Sequence, residues 1–331
     1  MCNIELPTNV LKKLRECFKA GDLGHVEAFH LTRNEFEGSD GIEFALEIMQ
    51  SQKKMMGFGY ERNPISNDLD CQRLVDAIVS HPNISQCFLS GLGREERNGR
   101  DYLVNLLHKE GLKRVSFSNC GLDTEGQSAL FDTIKLHPHL TYLALDDNKL
   151  NDIDAIHLAD ALRYNRTLDT LSLKGNEFTR LGEDVLKKVV YDDSSLNAVA
   201  DSNHVCTIMG LDSWQESSVC NANDCYYGRD GNGPKRSRAR KIFHLLEERN
   251  QQGTNVYHME AEMGGDSLKF APLALAAIQM YGQQRKKREE WDDVAADFVT
   301  IEDAAELSIT CELIRSWHIY FRPELISVSS P

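Results

Sequence analysis

Apolar residues recur along the first two thirds of the chain with one spacing. The clearest unit reads Leu140-x-x-Leu143-x-Leu145-x-x-Asn148-x-Leu150. The unit after it is Leu168-x-x-Leu171-x-Leu173-x-x-Asn176-x-Phe178, and the unit before it is Leu112-x-x-Val115-x-Phe117-x-x-Cys120-x-Leu122. A step of 28 toward the N-terminus gives Ile84-x-x-Cys87-x-Leu89. Steps of 29 then give Met55-x-x-Phe58-x-Tyr60-x-x-Asn63-x-Ile65 and Val26-x-x-Phe29-x-Leu31-x-x-Asn34-x-Phe36. One such unit occurs by chance in ordinary helices, but six at near-constant spacing make an internal repeat.

Physical chemistry assigns elements to each unit. Apolar residues at the first, fourth and sixth positions fit a short strand with alternate side chains in a core. The asparagine amide can satisfy backbone groups left open where the strand ends. The remainder has helical period: Leu74, Ala77 and Ile78 form one apolar face, and Ile156, Ala159 and Leu162 another. Pro82, Pro138 and Asn165 mark the return turns. Each unit is thus strand, loop, helix and turn. It cannot bury its apolar face alone, so neighbours stack.

A unit of this length has room for a full helix. The array over 26–192 therefore resembles ribonuclease-inhibitor-like leucine-rich repeats, the subclass that includes the arrays of NOD-like receptors and Ran GTPase-activating proteins. The resemblance implies an α/β solenoid with parallel strands on a concave face, helices on the convex face and helical terminal caps. In that family cysteine substitutes for the asparagine, as at Cys120. The third unit departs from the pattern. Leu92 stands where asparagine belongs, inside the charged stretch 91–100, so the asparagine ladder should break there.

The expected organisation is a helical N-terminal cap over 1–25, with Val10, Leu11, Leu14 and Phe18 on one face of a helix over 7–20. The repeat array follows over 26–208, with starts at 26, 55, 84, 112, 140 and 168 and a degenerate seventh unit at 196. Leu196-Asn197-Ala198-Val199 is read as its strand. A Gly-, Asn- and Ser-rich loop with a basic run occupies 209–240, and a helical C-terminal cap 241–331. Helices are expected over 237–250, 267–281 and 301–320. The cap's sequence is similar to the tail of leucine-rich-repeat proteins of microalgae, a likeness that brings no activity with it.

Composition narrows the function classes. A net charge of −14 disfavours bulk binding to nucleic acid. No secretory leader or membrane-length apolar run is read. The nine cysteines are scattered, several at core positions, which fits reduced thiols and a cytoplasmic or nuclear protein. The sequons at Asn83 and Asn165 then have no glycosylation role.

Candidate chemistry is sparse. His204, Cys206, Cys220 and Cys225 lack the paired spacing of common zinc modules. The glycines of 228–235 have a phosphate-loop spacing, but Pro234 stands where lysine is required. His137 and His139, flanking Pro138, read as solvated turn histidines. The basic run 234–241 fits a solvated first helical turn, an import signal, or a contact for phosphate or anionic lipid. No catalytic residue, metal or cofactor is expected.

What remains is the strand surface. Its outward positions are His30, Gly59, Phe88, Ser116, Ala144 and Ser172, then Thr32, Glu61, Ser90, Ser118, Asp146 and Lys174, then Arg33, Arg62, Gly91, Asn119, Asp147 and Gly175. Reading these by charge and size, with Arg114 and Tyr142 added, selects Arg33, Arg62, Phe88, Arg114, Tyr142, Asp146, Asp147 and Lys174 as partner-binding residues. The expected function is a non-enzymatic protein-interaction scaffold, monomeric, with a protein partner and neither nucleic acid nor membrane. The resemblance to Ran GTPase-activating proteins implies an alternative, a regulator of a small GTPase; a third reading is an enzyme with a site in the C-terminal region.

Overall fold

The computed structural model describes residues 8–20, 25–65, 67–92, 99–125 and 128–211, together with scattered positions between 237 and 261. The chain forms two compact units: Met1–Val189 with Val205–Ser217, and Val190–His204 with Ser218–Pro331.

The first unit alternates strands and helices. The strands are β1 (Ala28–Thr32), β2 (Gly57–Glu61), β3 (Gln86–Ser90), β4 (Arg114–Ser118), β5 (Tyr142–Ala144), β6 (Thr170–Ser172) and β7 (Thr207–Met209). They form one parallel sheet in chain order. The helices are α1 (Thr8–Ala20), α2 (Asp40–Ser51), α3 (Asp68–Ser80), α4 (Arg100–Leu107), α5 (Ala129–Leu136), α6 (Asp152–Tyr164) and α7 (Arg180–Val190). Helices α1 to α6 pack side by side, each on the next.

The register is the one the repeat predicts. Phe29, Phe58, Cys87, Val115, Leu143, Leu171 and Ile208 lie opposite one another across the sheet. All seven are buried. Each strand places alternate side chains in the core, and the same strand of the next repeat covers them.

Polar ladders join the repeats. Asn63 Oδ1 accepts from the Asn34 backbone N–H at 2.7 Å, and Asn63 Nδ2 donates to the Leu31 carbonyl. Asn148 Oδ1 accepts from the Cys120 and Leu122 N–H groups, while Nδ2 donates to the carbonyls of Phe117, Leu145 and Asp146. Asn176 repeats the arrangement one unit later. The interruption expected at Leu92 is present: the residue is buried and apolar, and at the next rung the Cys120 thiol donates only weakly, to Ser118 O at 3.4 Å and Leu89 O at 3.8 Å. A second set of ties runs along the helix starts. Ser39 Oγ donates to Asp70 of α3, and Thr124 Oγ1 donates to Asp154 of α6. Asp154 also completes a capping box with Asn151.

Three sequence expectations are corrected. Leu196–Asp201 is a helix, α8, in the second unit, and the seventh strand is Thr207–Met209. Leu196 and Val199 lie one helical turn apart, so they share a helical face as readily as they begin a strand. Ser195 decides between these by accepting from the Ala198 N–H as an N-cap. On α6, Ile156 is 56% exposed, and the buried face is carried by Ala155, Leu158, Ala159, Ala161 and Leu162. On α1, Leu11 and Phe18 are buried, Leu14 is partly so, and Val10 is exposed.

Within the second unit, Ile242 and Leu245 are buried as expected of the helix over 237–250. Lys241 of the basic run is also buried, with Nζ donating to the Asn203 carbonyl at 3.0 Å, so it is not a solvated charge. Arg238 Nε donates to the Ala200 carbonyl. Residues 234–236, 239 and 240 of the basic run, the phosphate-loop-like stretch 228–235, Cys220, Cys225 and the expected helices over 267–281 and 301–320 lie outside the described residues. No described helix is long and apolar enough to cross a membrane.

Candidate functional site

The side chains that alternate with the core positions form the open face of the sheet. Its shape follows from side-chain size. Strand β2 carries glycine at two of its three outward positions, Gly57 and Gly59, with Glu61 at the third. The His30 ring lies over Gly59, where any Cβ would collide with it, and reaches the Phe88 ring at 5.3 Å between centroids. Two strands further on, the Arg114 guanidinium sits over the Tyr142 ring at 4.4 Å. Ser116 and Ala144, both small, continue the row of Phe88 across β4 and β5, two residues along from Arg114 and Tyr142.

The strand ends form a second level. In all six repeats the residue at the turn after the strand is left-handed: Arg33, Arg62, Gly91, Asn119, Asp147 and Gly175 have φ between 50° and 79°. Asn119 N–H donates to the Asp146 carbonyl and Asp147 N–H to the Lys174 carbonyl, which carries the turn from repeat to repeat. Glycine, asparagine and aspartate tolerate this region, but arginine is strained there. Arg33 and Arg62 are exposed, so no packing requires them. Replacing both with glycine is expected to stabilise the fold by about 1 kcal/mol, after the larger unfolded-state entropy of glycine is subtracted. Urea unfolding of the double variant checks this, and unchanged or lower stability would show that the turns hold no strain.

One hollow opens on this level, about 400 Å³ in volume, lined by Glu61, Arg62, Ser90, Ser116, Ser118, Asn119, Asp146 and Asp147. Serine hydroxyls and the Asn119 amide line it together with the charged groups of Glu61, Arg62, Asp146 and Asp147. Asp146 is held in place: its Oδ1 accepts from Ser172 Oγ at 2.6 Å and from the Lys174 N–H at 2.9 Å.

The structure thus divides the eight sequence-selected residues. Arg62, Asp146 and Asp147 share the hollow, and Arg114 and Tyr142 form a pair. Phe88 pairs with His30 instead of another selected residue. Arg33 and Lys174 are exposed and stand outside the hollow. Selection by charge and size passed over Glu61, Ser90, Ser116, Ser118 and Asn119. They occupy the same outward positions; the charge of Glu61 is legible there, whereas the hydroxyls and the amide gain weight only when a concavity gathers them.

Among the described residues the other candidate chemistry is not assembled. Among the described residues no group of His, Cys, Asp and Glu side chains is arranged to hold a metal ion. Cys71, Cys87, Cys120 and Cys206 are buried thiols. Burial pushes the Cys87 thiol up to about 12, which keeps it protonated and unreactive. His137 is not solvated but buried in its turn.

Comparisons with known proteins bear on the fold. A leucine-rich-repeat family model matches residues 137–159, the stretch from the fourth return turn through β5 into α6. No curated protein matches the chain. Among solved structures, "Leiomodin-1 Actin-Binding Site 2 (ABS2)" is 14% identical with a TM-score of 0.33, over 54% of this chain and 95% of that one. The repeat spacing, the seven parallel strands in chain order and the matched repeat together make the first unit an α/β leucine-rich-repeat solenoid.

Proposed function

We propose that this protein is a non-enzymatic scaffold that binds a protein partner on the open face of its sheet. The observation that carries this reading is the grouping of Phe88, Arg114 and Tyr142 beside a hollow lined by Glu61, Arg62, Asp146 and Asp147. Aromatic and arginine side chains on a firm platform are the usual anchors of protein interfaces. The charged lining supplies orientation and association rate more than raw affinity. The hollow's lining carries three carboxylates against one guanidinium, and the whole chain carries −14, so the partner surface it fits is basic.

Affinity purification from native extract, followed by mass spectrometry, identifies partners of the wild-type chain. Reversing Asp146 and Asp147 to lysine is expected to weaken the captured complex by about tenfold or more. The titration is run on variant protein with an unaltered circular dichroism spectrum. Unchanged affinity would remove the acidic lining as the site.

A further inference from the structure

The turns that return each helix to the next strand carry a polar ladder of their own. Gln52, His81, Lys109, His137 and Asn165 stand at equivalent places, one in each successive repeat. All five are buried. Asn165 shows what the position does. Its Oδ1 accepts from the Thr167 and Leu168 N–H groups at 2.9 Å each, and its Nδ2 donates to the Ile134 carbonyl of the preceding repeat at 2.7 Å.

His81 and His137 do the same with an imidazole. His81 Nδ1 accepts from the Asn83 and Ile84 N–H groups at 3.3 and 3.2 Å, and its Nε2 is 3.2 Å from the Gln52 carbonyl. His137 Nδ1 accepts from the His139 and Leu140 N–H groups at 3.3 and 3.0 Å, and the ring is also bonded to the Leu107 carbonyl. Both rings are therefore neutral, with the proton on Nε2. A second proton has one place to go, Nδ1, where it would point at two N–H donors. It would break two bonds that start the next strand and leave a charge without water.

We propose that His81 and His137 form an acid-labile latch on the solenoid: protonation of their Nδ1 atoms opens the return turns that launch β3 and β5. The surroundings reinforce the effect. The charged groups acting on His81 are Lys53 and Lys109, and those acting on His137 are His108 and His139. Lys109 lies between the two rings in the ladder and donates its Nζ protons to the Val79 and His81 carbonyls. Among the described residues, no carboxylate forms an ion pair with either ring or with Lys109. Burial holds both histidines below their ordinary range. The closed turns thus bind fewer protons than the opened ones, so closure is fully favoured above about pH 6.5 and weakens as pH falls. Strands β3 and β5 carry Phe88 and Tyr142, so opening would disturb the open face. That last link, and no other, rests on the binding reading above.

Hydrogen exchange of the full chain tests the latch without a partner. The amides of Asn83, Ile84, His139 and Leu140 are followed at pH 7.5 and 5.5, corrected for intrinsic exchange. Thr167 and Leu168, held by the non-titrating Asn165, serve as the internal reference. The opening constants of the histidine turns are expected to rise several-fold relative to the reference, up to a ceiling of about tenfold for the one proton each turn takes up below about pH 6.5. The variant H81N/H137N, which installs the side chain found at 165, is expected to abolish that difference. Equal pH dependence at all three turns, or a difference that persists in the variant, would overturn the latch. If the variant does not fold, NMR titration of the wild-type rings decides. Either ring titrating at 6.5 or above overturns it, and both titrating below supports it. A failed partner search leaves these readouts unaffected.

Discussion

Replacing Asn148 with alanine is expected to destabilise the array by about 3–5 kcal/mol, near the upper end for a single substitution. The side chain is buried and makes five hydrogen bonds to backbone groups, on both its own and the preceding repeat. Removing it leaves the Cys120 and Leu122 N–H groups without their acceptor in a place water does not reach. Each such loss costs about 1–3 kcal/mol, against about 1 kcal/mol for an ordinary bond exchanged with water. Because each repeat is stabilised mainly by its neighbours, the loss falls on the junction between the fourth and fifth repeats. Urea unfolding followed by two probes, one on each side of β4, should then lose coincidence. Asn34 is the built-in control. Its Oδ1 has no partner among the described residues, because it stands in the first repeat with none before it to serve. Asn34→Ala is expected to cost much less, and equal costs at the two positions would show that the ladder does not couple the repeats.

The second large effect is expected at Phe117, where alanine should also cost about 3–5 kcal/mol. The ring is fully buried, in register with Leu89, and its tip lies where a side chain on Gly99 would otherwise go. The neighbours are strands and helices fixed by the same register, so they cannot collapse into the space. Denaturant unfolding measures the change, and a loss below about 1 kcal/mol would mean that this part of the core relaxes around a cavity. Unlike Asn148→Ala, this variant removes apolar burial and leaves no unpaired donor, so the two together separate the contributions of packing and ladder.

Several elements were legible without coordinates. The spacing placed six strands and their register, because alternate side chains of a strand return to the same face and a chain of constant period returns to the same height. It also located the break at Leu92, since an isobutyl group cannot accept a hydrogen bond. The eight outward residues chosen from the strands are all on or beside the open face, but only three of them meet in the hollow. Period alone could not place the seventh strand. Leu196-Asn197-Ala198-Val199 satisfies the strand and the helix patterns equally, and the cap supplied by Ser195 tips it to helix. Nor could it show the second ladder. A histidine next to proline in a turn looks solvated until the following repeat covers it, as happens at His137.

The sequence by itself therefore determined the period, the parallel order of the strands and the residues available to the open face. These depend on which side chains must leave water, and that is written in local spacing. The tertiary structure decided which of those residues meet, which histidines lose their solvent and where the last strand pairs. Those outcomes depend on the neighbouring repeats, whose carbonyls and amide protons supply partners that no single repeat contains.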